Sequence, residues 1–273
     1  MRSVRFPVCL AALAILIPAT MPAQQVWKLI WSDEFSGAAN TPPDPSKWTY
    51  DLGAGGWGNS ELEDYTNDPS NAHLDGDGNL VIHVLNPSPG TYTSARLKTE
   101  GQFTTEYGKI EARIKLPYGQ GIWPAFWMLG SNITTVGWPQ CGEVDIMENI
   151  GREPSVNHGS MHGPGYSGGD SLTAIYSLPN GQKLSDDFHT FTFIWTPQSA
   201  EFFVDSRSYE KRTPADVPAG SQWVFNTPFF LILNVAVGGS WPGYPDSTTV
   251  FPQDMLIDYV RVYDMAPGHW TRR

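Results

Sequence analysis

Short apolar–polar alternation runs through this chain and limits it to sheets. It is plain in "GKIEARIKLP" (108–117) and recurs in "NLVIHVLN" (79–86), "TSARLKT" (93–99), "FHTFTFIWT" (188–196) and "MLIDYVRVYD" (255–264). A period of two gives a strand one buried and one wet face. "FFLILNVAVGG" (229–239) is apolar almost throughout, as a central strand covered on both sides would be. "AEFFVDSRSYEKR" (200–212) follows "FHTFTFIWT" after the turn "PQS", which predicts a hairpin. No 3.6-residue stripe exceeds two turns, and there is no repeat or linker. The expected fold is all-β: a two-sheet antiparallel β-sandwich, one domain over residues 24–273 with its core at about 27–265.

The chain opens with "MRSVRFPVCLAALAILIPATMPA", two arginines before an apolar run too short to span a bilayer comfortably. It reads as a secretory signal peptide cleaved after Ala23, with an N-terminal anchor as the alternative. Removing residues 1–23 takes two of the 17 basic residues and none of the 28 acidic ones, leaving a net charge near −13. That balance argues against nucleic acid or an anionic membrane as partner, and a secreted monomer is expected. One cysteine, Cys141, remains, so no internal disulfide can form.

Aromatic residues are abundant: 11 Trp, 11 Tyr and 13 Phe, while charged residues make up only 16%. Core packing accounts for at least half of these rings, and the remainder suits stacking on sugars. Three Gly/Pro/Asn-rich stretches (51–73, 162–173 and 238–253) read as loops, and each carries Trp or Tyr. Aromatic loops at the mouth of a sheet are where a binding cleft would be built.

"CGEVDIMENIG" (141–151) breaks the strand rhythm. Glu143 and Asp145 share a face, but Glu148, five residues from Glu143, falls on the other. A single β-bulge between Asp145 and Glu148 restores the phase. The two glutamates then behave as residues four apart, about 13 Å along the strand, with side chains leaning toward each other. Carboxyls brought to about 5 Å suit retaining glycoside hydrolysis. The plain alternative is three solvated acids on an exposed strand. His158 and His162 have a zinc-like spacing, but "NHGSMHG" is too rich in Gly and Ser for the helix that spacing needs.

"GEVDIMENIG" resembles the active-site signature of glycoside hydrolase family 16, in the bulged Glu-x-Asp-x-x-Glu form of laminarinases. "WSDEF" (31–35), "WGNSELEDYT" (57–66), "GKIEARIKLP", "GIWPAFWMLG" (121–130), "MHGPGYSGG" (161–169), "LNVAVGGSWPG" (233–243) and "IDYVRVY" (257–263) resemble laminarinase segments in family order. The resemblance implies a jelly roll whose concave sheet carries the cleft, and a secreted endo-β-1,3-glucanase that needs no cofactor for catalysis. It makes Glu143 the nucleophile, Glu148 the acid/base and Asp145 the residue that orients the nucleophile. Trp123 and Trp127 would flank the scissile bond, although core packing also suits Trp127. Asn59, Glu61, Arg96 and Trp241 fall in segments that supply sugar contacts, a structural ion pair being the other reading of Arg96. His162 is expected to bond a sugar hydroxyl or the acid/base. A structural calcium remote from the chemistry would fall to Glu34, Gly78 and Asp258. The rival readings keep the fold: a β-1,3-1,4-glucanase, an enzyme on agar or another galactan, or a non-catalytic glucan-binding protein.

Overall fold

The computed structural model describes residues 27–265, together with Met1. The signal-peptide assignment, Met1 apart, lies outside the described residues. Two sheets carry the chain. The seven-stranded one runs in the order Leu172–Ser177, Val156–His162, Glu143–Glu148, Ile122–Gly130, Phe229–Val237, Arg96–Lys98, Thr49–Asp51, and every neighbouring pair is antiparallel. The ten-stranded sheet is organised on the long strand Gln253–Met265. Gly108–Lys115 pairs along one side of it, while Leu80–Ser88 and Trp27–Asp33 share the other side at successive heights. Beyond Gly108–Lys115 the hairpin His189–Thr196/Ser199–Val204 continues the sheet, as expected.

The alternation dictates the packing. In Gly108–Lys115 the residues Gly108, Ile110, Ala112 and Ile114 are buried, and the residues between them are half-buried. They meet Ile122, Phe126 and Met128 of the opposing sheet in one core. Phe229–Val237 is buried at every position, which its continuous apolar run requires. Leu231, Leu233 and Val235 enter that core, whereas Phe230 and Ile232 join a small outer cluster with Leu129 and Cys141.

Four elements depart from expectation. The stretch 51–73 is not all loop: it holds the strands Glu63–Tyr65 and Ala72–Leu74, and Glu63–Tyr65 pairs parallel to Thr91–Ser94. The segment 200–212 is two strands, because Asp205 and Ser206 both take positive φ and reverse the chain. Leu172–Ser177 forms an edge strand next to Val156–His162, and its alternate exposed positions explain why its sequence carries a weak signal. A single helical turn, Ile133–Val136, sits in the loop that leads to Glu143.

Candidate active site

The acidic strand Glu143–Glu148 contains the bulge. Against Ile122–Gly130 its register passes from Asp145↔Trp127 to Met147↔Phe126, and against Val156–His162 from Asp145↔Ser160 to Glu148↔His158. Six residues, Glu143 to Glu148, therefore face five on each neighbour, Leu129 to Ala125 and His162 to His158. The extra residue lets Ile146 and Met147 both enter the core beside Val144. Glu143, Asp145 and Glu148 consequently share the outer face, where they line a cleft of about 410 Å³. Gly142, with φ of 79°, turns the chain into this strand; a Cβ there would lie 2.9 Å from the Phe229 ring.

Each outer glutamate receives one indole N–H. Trp138 donates to Glu143 Oε2 at 3.0 Å, and Trp123 donates to Glu148 Oε1 at 3.0 Å. The Gly168 N–H donates to His162 Nδ1 at 3.0 Å, which places the imidazole proton on Nε2. That Nε2 lies 3.0 Å from Asp145 Oδ2 and 3.7 Å from Glu143 Oε1. Burial, then the neighbouring Asp145, pushes Glu143 up to about 8, against the pull of His162, the Trp138 N–H and Arg96. Burial alone pushes Asp145 up to about 8. Glu148 is raised well above the carboxylate range by burial first and then by Asp145, with His162 and the Trp123 N–H opposing. Three acids this close and this dry cannot all ionise, so they share protons as a set. Glu143 has the better supply of positive partners and is the first of the two glutamates to ionise; Glu148 keeps its proton to higher pH.

The aromatic walls are where the sequence expected them. Trp123 and Trp127 line the cleft from the strand beside the acids. Trp127 donates to Asn234 Oδ1 at 2.7 Å; its ring lines the cleft and also packs against the small outer cluster of Leu129, Cys141, Phe230 and Ile232. Trp241 packs edge-on to Trp123 at 5.3 Å and to His158 at 4.9 Å. The ion-pair reading of Arg96 holds, with Asp51 at 2.9 Å; the residue also lines the cleft, its guanidinium 4.9 Å from the Trp57 ring centre and 4.6 Å from that of Trp127. Asn59 donates to Glu61 Oε1 at 2.8 Å, and both line the cleft.

The family profile for glycosyl hydrolases family 16 matches residues 59–261. The chain belongs to glycosyl hydrolase family 16. It is 49% identical, with a TM-score of 0.82, to the catalytic domain of an endo-1,3-beta-glucanase (laminarinase) from Thermotoga petrophila, covering 89% of this chain and 100% of that one. It is 41% identical to a beta-glucanase of Rhodothermus marinus over 87% of this chain and 85% of the relative. A keratan-sulfate endo-1,4-beta-galactosidase of Sphingobacterium multivorum is 37% identical over 92% of this chain and 58% of its own length.

Of the two partners expected for His162 in this family 16 hydrolase, the acid/base is not the one it pairs with: its Nε2 serves the Glu143–Asp145 end, because it sits opposite Glu143 in the strand register while His158 sits opposite Glu148. The calcium set fits poorly. Glu34 gives both carboxylate oxygens to Arg261 at 3.0 and 2.7 Å, and Asp258 gives Oδ2 to Arg113 at 2.6 Å. Gly78 is in a turn with φ +96. A cation at these carboxylates would have to displace two guanidinium groups. Among the described residues, Glu143, Asp145 and His162 offer possible metal-ligand atoms within 4.8 Å of one another. The proton on His162 Nε2 turns a donor, not a lone pair, toward that space, so this set does not suit a metal either. The sequence reading missed Trp138 and Asn234. Trp138 stands five residues before Glu143 in a Gly- and Pro-flanked loop, and that proximity was its available signal.

Proposed function

We propose that the protein is a secreted, monomeric endo-β-1,3-glucanase that cleaves laminarin-type glucan with retention of configuration. The observation that carries this reading is the bulge, which turns Glu143, Asp145 and Glu148 to one aromatic-walled face. Glu148, the acid that holds its proton, protonates the departing glycosidic oxygen while the Glu143 carboxylate attacks the anomeric carbon. A glycosyl ester on Glu143 results. Water then attacks that carbon, Glu148 takes the water's proton, and Glu143 leaves as carboxylate. Asp145 and the His162 Nε2–H hold the nucleophile's side of the site in place. Trp123 flanks the acid/base, while Trp127 and the Arg96 sandwich form a stacking wall for sugar rings.

No helix among the described residues is long and apolar enough to cross a membrane. Secretion rests on reading residues 1–23 of the sequence as a signal peptide. The choice of β-1,3-glucan draws support from the laminarinase relative at 49% identity. Product analysis on laminarin, curdlan, lichenan, agarose and keratan sulfate tests it. Short laminari-oligosaccharides released from laminarin and curdlan are the expected outcome. Cleavage confined to lichenan, agarose or keratan sulfate would replace the substrate, and binding without cleavage of any polymer would overturn the enzyme reading.

A further inference from the structure

Behind the Asn59–Glu61 wall lies an acid that the reaction does not use. Glu63 is 0% exposed, on the short strand Glu63–Tyr65. Its Oε2 accepts the Val237 N–H at 2.6 Å, and no donor reaches its Oε1. The side chain it meets is Glu61, another acceptor. Glu61 is well supplied with donors: Asn59 Nδ2 at 2.8 Å on Oε1 and the Tyr65 hydroxyl at 3.3 Å on Oε2. Two carboxyls in contact out of water repel unless one carries a proton. The donor supply decides which: Glu63, whose Oε1 has no donor, is the one that carries it.

The contact is joined to the stacking wall. The Tyr65 hydroxyl that donates to Glu61 accepts from Asn234 Nδ2 at 2.9 Å, and Asn234 Oδ1 accepts from Trp127 Nε1 at 2.7 Å. We propose that Glu63 is a positioning residue: it donates its proton to Glu61, holds Glu61 as an acceptor for a sugar hydroxyl, and through Tyr65 and Asn234 sets the plane of Trp127. The ligand is a neutral, hydroxyl-rich glucan unit bound beside Trp57 and Trp127. This deepens the glucanase reading and rests on it.

The surroundings keep the proton in place. Burial first, and then Glu61, push Glu63 up to about 9. The other titratable groups that face the pair are Tyr65 and, beyond it, Arg96. Thr91–Ser94 alongside contributes Tyr92 and no charge, and Phe229–Val237 contributes no titratable group. Losing the proton therefore creates two adjacent buried carboxylates with no cation between them.

Three measurements test the proposal on the full chain. With laminari-oligosaccharides, wild-type KM should rise at least about fivefold as pH passes about 9, with kcat following its own profile. Glu63→Gln, whose amide donates without titrating, should hold KM flat over that range. Glu63→Leu, which removes the donor, should raise KM about tenfold or more at every pH, the loss expected for a hydrogen bond to a charged group. An alkaline KM rise that is absent in wild type or unchanged in Glu63→Gln overturns the proposal, as does an unaltered KM in Glu63→Leu. The second measurement needs no substrate and stands even if the glucanase reading fails. Glu63 contributes stability as a protonated acid that is fully present below pH 4.5 and lost as pH rises through about 9. Glu63→Gln should therefore gain melting temperature over wild type across that window, and an equal difference at every pH would refute the buried proton. Should Glu63→Gln not fold, carbon-13 NMR of a Glu143→Gln/Glu148→Gln enzyme labelled at its glutamate carboxyls supplies the readout. One carboxyl must titrate near pH 9, and none doing so overturns the proposal.

Discussion

Replacing Trp138 by Phe removes one N–H from Glu143 and little else from the strand. The bond is 3.0 Å long and ends on the carboxylate that must be ionised to attack. A hydrogen bond to a charged group contributes about 1.5–3 kcal/mol. Trp138 is 47% exposed, so water can take up part of the role and the lower end applies. About 1.5 kcal/mol corresponds to roughly tenfold in rate and about one pKa unit. The N–H favours the ionised form, and its removal moves Glu143 further upward. The acid limb of kcat/KM on laminarin should therefore shift about one unit to higher pH. Below that limb activity should fall about tenfold, and above it the loss should fade. Trp123→Phe strips the matching N–H from Glu148 and should move the other limb, prolonging activity at alkaline pH, since the acid keeps its proton longer. A Trp138→Phe profile that drops equally at all pH values, or whose acid limb stays in place, would refute this division of labour.

Other outcomes follow from the same geometry. Glu143→Gln should lose several orders of magnitude in turnover, whereas Glu148→Gln should keep activity on substrates with an activated leaving group, which need no acid; substrates of graded leaving-group acidity check this. Burial raises Glu143 from 4.5 to about 8, so its protonated form supports the fold fully below pH 4.5 and that support is lost as pH rises through about 8. Glu143→Gln should thus melt above wild type at pH 7 and close to it at pH 4, as pH-resolved calorimetry would read. Deleting Met147 leaves the second glutamate four residues from the first, on the cleft face without a bulge. It should leave measurable β-glucanase activity at a cost of about 2–5 kcal/mol for the lost core side chain, read by denaturant melts. Inserting one alanine after Ile146 should turn Glu148 inward and inactivate or unfold the protein.

The sheets and the acid triad were legible because both rest on phase. Alternation located most of the longer strands, and a glutamate out of step by one residue located the bulge. What escaped depended on contacts between distant segments. Glu63 reads as loop in "ELEDYT", since three residues are too few for a pattern, and its burial comes from Val237, 174 positions away. Arg96 could not be divided between an ion pair and a sugar wall by sequence, because Asp51, Trp57 and Trp127 meet it only after folding. The calcium expectation met the same limit: the carboxylates of Glu34 and Asp258 were visible, while the arginines that contact them were not assigned to them.

The central claim is that the bulge turns a nucleophile and an acid to one cleft face, where they flank the scissile bond and act through a covalent intermediate. Proton NMR of laminarin during the first turnovers reads this directly from the new reducing end. The account predicts the β-anomer first, with the α-anomer growing in only as the sugar mutarotates. An α-anomer formed first would mean direct attack by water, and would contradict it.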